Sequence, residues 1–107
     1  MDSFRTSYYE TTYHNVEIIE SQFERCYFDD SNFTNVTFLN TNFIECSFNN
    51  SKFKNVKFIE CHFEQTNFQN IVETNNLYFN NASIKVEDGL KTNLDNEIRQ
   101  YLLNNNF

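Results

Sequence analysis

Residues 46–60 read CSFNNSKFKNVKFIE, with Phe at 48, 53 and 58 and a compact residue, Cys46, Ser51 or Val56, two places before each. An α-helix returns its apolar face about every 3.6 residues and a strand about every 2, so a sustained count of five belongs to neither. The count runs far beyond this stretch. Phe recurs at 23, 28, 33, 38, 43, 48, 53, 58, 63 and 68 without a miss, so ten of the 13 Phe share one phase. Two positions before them stand Ser21, Cys26, Ser31, Val36, Thr41, Cys46, Ser51, Val56, Cys61 and Thr66, all small enough to share an interior with a ring. Upstream the phase continues as Tyr8, Tyr13 and Ile18 behind Thr6, Thr11 and Val16, which makes thirteen units from Thr6 to Asn70.

A second period lies on the first. Residues 26–45 align with 46–65, and Val16, Val36 and Val56, Ser31 and Ser51, and Cys26 and Cys46 all fall twenty apart. Four fives make one turn of a superhelix with four sides. A unit too short to bury its own apolar residue must stack on copies of itself. The expected result is a solenoid with a ladder of Phe rings inside it.

In these residues the chain resembles the pentapeptide-repeat family, whose units read small, Asx, Leu or Phe, X, X. SNFTN, TNFIE and TNFQN follow that pattern directly, and SKFKN, VKFIE and CHFEQ keep its inward positions. The resemblance covers residues 6–70 and implies an all-β, right-handed quadrilateral β-helix. With no Pro and one Gly, Gly89, the corners must turn on Asn, Asp and Ser/Thr chemistry, and Asn35, Asn40, Asn50, Asn55 and Asn70 end their units in that role.

The count fails after Asn70. The next centre would be Glu73, and apolar residues resume one place late as Leu77, Phe79, Ala82 and Ile84, which reads as a one-residue bulge and an irregular last coil. From Thr92 the period becomes helical. Leu94, Ile98, Tyr101 and Leu102 are spaced i, i+4, i+7, i+8, and Thr92 with Asp95 resembles a capping box. The organisation expected is a lead-in over 1–5, the solenoid over 6–70, an irregular coil and loop over 71–91, and a C-terminal α-helix and tail over 92–107. So short a helix needs a surface, either the open end of its own coil or a second protomer, so that a homodimer is one expected use of it.

Chemistry-bearing residues are few. Cys26, Cys46 and Cys61 occupy the small inward slot, where a thiol is expected to be buried and inert. His62 and Cys61 are adjacent on a strand and so point opposite ways, which rules out a shared metal. The reading assembles no Ser/His/Asp set, no phosphate-cradling Gly loop and no carboxylate pair, so it expects no enzyme, no metal and no cofactor. No run reaches the ~18 apolar residues of a membrane span, and the start MDSFRTSYYE lacks a signal-peptide pattern, so a cytoplasmic protein with reduced thiols is expected.

What remains is surface. Ile19, Leu39 and Ile59 fall twenty apart in an outward position and would stack about 4.8 Å from one another, with Ile44 on the adjacent face. Charge is uneven: residues 6–45 carry seven acids against one base, whereas residues 46–70 carry two acids against Lys52, Lys54 and Lys57. The best-understood members of the family imitate duplex DNA and bind DNA gyrase, so the resemblance also implies an acidic decoy face, here Glu17, Glu20, Glu24, Asp29 and Asp30. Duplex DNA would carry about nine charges over the roughly 16 Å of this solenoid, about twice its net charge of −5 over residues 6–70. The sequence therefore favours a non-catalytic module that docks a protein partner, as an immunity factor or effector would, with no direct nucleic-acid binding. The gyrase-binding DNA mimic is the alternative.

Overall fold

The computed structural model describes residues 2–73, 76–86 and 89–92. These form an all-β solenoid of about four turns with no helix among the described residues. One sheet stacks β1 (Asp2–Phe4), β4 (Gln22–Glu24), β6 (Asn42–Ile44), β8 (His62–Glu64) and β11 (Ser83–Val86), and ends on β12 (Gly89–Thr92). The other runs β2 (Thr12–His14), β5 (Asn32–Leu39), β7 (Lys52–Ile59), β10 (Leu77–Asn80), with β3 (Glu17–Ile19) also beside β5 and β9 (Val72–Glu73) also beside β7. Pairing is parallel in both, except that β12 returns antiparallel along β11.

The five-residue count becomes geometry through one torsion. The last residue of every unit from Arg5 to Asn70 has φ between 46° and 59°, which turns the chain a corner. Asn accepts this left-handed conformation readily, as the sequence implied. However, Arg5, Glu10, Glu20, Arg25, Glu45, Glu60 and Gln65 adopt it too, against a cost of about 1 kcal/mol each. Stacking offsets that cost. Most corner amides donate to the carbonyl one coil above, as Asn40 does to Ile59 at 2.8 Å and Glu60 to Asn80 at 2.8 Å.

Inside stand four columns of side chains. Tyr8, Phe28, Phe48 and Phe68 stack at 4.8–5.0 Å, Tyr13, Phe33 and Phe53 at 4.9–5.1 Å, Phe38, Phe58 and Phe79 at 4.8–5.1 Å, and Phe23, Phe43 and Phe63 at 5.4 Å. Rings of different columns meet tilted or edge-on, Phe48 and Phe53 at 53° and Phe58 and Phe68, across the interior, at 89°, so the rings fill the interior in the offset and edge-to-face arrangements that aromatics favour. Where the small slot holds Ser, Thr or Cys rather than Val, its side chain has one hydrogen to give. Thr66 Oγ1 donates to the Phe43 carbonyl at 3.1 Å and the Glu64 carbonyl at 3.0 Å, and the Cys46 thiol reaches the Phe23 and Ile44 carbonyls at 3.2 and 3.3 Å. Ser, Thr and Cys are interchangeable there for that reason.

The two ends differ from the expectation. Residues 2–4 are a strand of the solenoid: β1 pairs with β4, and Ser3 takes the column position of Phe23 while Phe4 points outward under the Arg5 guanidinium. At the other end the pairing offset passes from twenty at Val72↔Lys52 to twenty-one at Leu77↔Val56. After that one-residue slip the coil is regular, with Leu77, Phe79, Ala82 and Ile84 buried. Thr92, expected to open the C-terminal helix, ends strand β12. The helix itself, with Leu94, Ile98, Tyr101 and Leu102, lies outside the described residues.

Candidate functional site

Outward positions alternate with the buried ones, and strand pairing stacks them in columns. On the face built from β3, β5, β7 and β10, two such columns run side by side. Ile19, Leu39 and Ile59 are in direct register, followed by Asn80. Beside them run Glu17, Thr37, Lys57 and Tyr78. Ile19 is 44% exposed and Tyr78 43%, while Leu39 and Ile59 are half-buried by their neighbours. Keeping such a column wet has a cost, and a partner's apolar surface would remove it.

Ile44 does not join this patch. It lies on the other sheet, opposite Glu24 on one side and Glu64 on the other, so its column is acidic rather than aliphatic. The lysines are a feature that charge counting along the chain obscured. Lys52, Lys54 and Lys57 all project from β7, exposed, with no ion pair to them among the described residues. Neither β5, β7 nor β10 carries a carboxylate. The solenoid is therefore polarised around its girth as well as along its axis.

The acidic residues are dispersed. Glu17 is on β3, Glu20 on the corner after it, Glu24 on β4 in the other sheet, and Asp29 and Asp30 on the next turn. Asp29 is held in place: its Oδ1 accepts from Ser47 Oγ at 2.6 Å and from the Asn49 amide at 2.9 Å. These five carboxylates surround the first two coils and do not share a face.

One chemical constellation escaped the sequence reading. His62 Nδ1 lies 2.7 Å from Ser83 Oγ, and its Nε2 lies 3.3 Å from Glu64 Oε1, a hydroxyl, imidazole and carboxylate in line. Ser83 reaches His62 only because the slip makes their separation twenty-one. A nucleophilic serine also needs amide donors aimed at a developing oxyanion. The Ser83 amide is instead committed to the Cys61 carbonyl at 3.0 Å. We read the trio as a cross-strand clasp between β8 and β11. As for the thiols, Cys26, Cys46 and Cys61 are free and buried, and burial pushes those of Cys46 and Cys61 up to about 12, so they are poor nucleophiles. No group of three His, Cys, Asp or Glu side chains able to hold a metal is found among the described residues.

Fold and surface together define a β-solenoid of five-residue units whose distinctive side chains are outward columns. The family model for pentapeptide repeats (9 copies) matches residues 33–83, and this stretch belongs to the pentapeptide-repeat family. The fold is commonly a protein-interaction module and typically non-enzymatic. No curated protein matches the chain. Among the described residues no helix is long and apolar enough to cross a membrane.

Proposed function

We propose that the chain is a non-catalytic protein-binding module that docks a protein partner through the face of β3, β5, β7 and β10. The supporting observation is the in-register column of Ile19, Leu39 and Ile59 beside Lys57 and Tyr78. Aliphatic side chains aligned at strand spacing offer a partner one continuous apolar strip, with polar groups along its side to set register. The right-handed, four-sided coil of the family would present this strip as one flat side. An immunity factor or effector would act in this way, and three free buried thiols support a reducing, cytoplasmic setting.

The DNA-mimic reading draws less from the geometry, because Glu17, Glu20, Glu24, Asp29 and Asp30 are spread around the coil and Lys52, Lys54 and Lys57 interrupt the negative field. Changing Leu39 to Asp separates the two readings. A pull-down from the source organism should lose its specific protein with Leu39→Asp and keep it at raised salt, since an apolar interface is little screened. A captured set unchanged by Leu39→Asp overturns the docking reading. Inhibition or protection in a gyrase supercoiling assay that survives Leu39→Asp and disappears when Glu17, Glu20 and Glu24 become Lys would establish the decoy instead.

A further inference from the structure

We infer that the docking face of β3, β5, β7 and β10 takes a second copy of this chain, seated about a two-fold axis that runs along the Thr37–Leu39 part of β5, which pairs with β3. The inference rests on the docking reading above and names its partner. The pattern of the two outward columns carries it. One reads Glu17, Thr37, Lys57 and the other Ile19, Leu39, Ile59, each with β5 at its centre. Glu17 and Lys57 are exposed, and neither has an ion-pair partner among the described residues.

Two faces of this kind can meet about two different two-fold axes. An axis along the solenoid would set Glu17 against the partner's Ile19 and Lys57 against the partner's Ile59, and so dry two charges against aliphatic side chains. An axis along β5 reverses one solenoid relative to the other, and its matches are of another kind. Leu39 meets the partner's Leu39, Ile19 meets the partner's Ile59, and Glu17 meets the partner's Lys57, twice over by symmetry. Apolar falls on apolar and acid on base from one sequence, which is the self-complementarity an isologous contact requires. Glu20 would face the partner's Glu60, but both are corner residues on the rim, where water screens like charges. The face is two columns wide, so the association is expected to be weak and reversible.

The chain of 107 residues is examined by sedimentation velocity and light scattering from about 10 μM to about 1 mM, the range in which a small interface dissociates. A concentration-dependent dimer is expected. Glu17→Lys and Lys57→Glu should each weaken it about tenfold or more, and the double variant, with the pair reversed, should return to within about threefold of the parent. Both positions are exposed, so melting curves of all four proteins should coincide. A monomer throughout the range overturns the inference, and so does a double variant as weak as the singles. A monomer whose lysate partner still depends on Leu39 would leave the docking reading standing without the self-pairing. A dimer and a captured partner both indifferent to Leu39→Asp would remove the two together. Residues 93–107 folded back over the face would show as a monomer destabilised by Leu39→Asp, which also counts against the second copy.

Discussion

The Phe79 ring stacks on Phe58 at 5.1 Å and 7°, although the two are twenty-one residues apart while Phe38 and Phe58 stack at 4.8 Å and 4° across twenty. One inserted residue between Glu73 and Leu77 is absorbed without loss of the ring column, because the column is set by strand pairing and the extra residue falls between paired strands. The same slip brings Ser83 to His62.

Phe48 has rings above and below it, Phe28 at 4.9 Å and Phe68 at 4.8 Å, and no exposed surface. Phe48→Ala should therefore cost about 3 to 5 kcal/mol through lost burial and an unfilled cavity. Urea unfolding measures it, and a midpoint within error of the parent's would contradict the central ladder.

Glu60 holds a left-handed φ of 53° at a corner where Asn is the better suited residue. Its replacement by Asn should raise stability by about 0.5 to 1 kcal/mol, read as an increase in the thermal midpoint. A decrease would mean that the Glu60 side chain supplies more than its backbone costs.

Leu39 faces away from the core, so Leu39→Asp should leave the circular dichroism spectrum and the thermal midpoint close to the parent's while abolishing partner capture. Loss of the fold along with the binding would show instead that half-buried Leu39 is a structural residue.

Burial raises the thiols of Cys46 and Cys61 from 9.0 to about 12 in the folded chain. Because the folded values are the higher ones, the stability linked to them is complete below pH 9 and is lost as pH climbs towards 12. In that window each thiol should remove stability progressively, on the order of 1 kcal/mol per pH unit. Thermal midpoints from pH 8 to 11 check this, and Cys46→Ser with Cys61→Ser should flatten the decline. Serine already fits the same slot at Ser31 and Ser51.

Much of the interior was legible in the sequence. A residue that must be buried repeats with the geometry that buries it, so Phe23 to Phe68 and their small partners appear in the sequence as a count of five, and the coil as a count of twenty. The slip after Asn70 was legible for the same reason, since Leu77, Phe79, Ala82 and Ile84 resume the count one place late. Residues without a burial requirement carry no such signal. Ser3 stands in an aromatic column and so hid strand β1, while Glu, Gln and Arg turn corners that the sequence assigned to Asn, Asp and Ser/Thr chemistry. The count of twenty had already aligned Ile19, Leu39 and Ile59, whereas the tertiary structure set Ile44 between Glu24 and Glu64, Lys57 in one column with Glu17, and Asp29 under the Ser47 hydroxyl. The inside of this solenoid is a property of the chain's period, whereas its surface is a property of how successive coils align, because only the interior constrains the residue type at every turn.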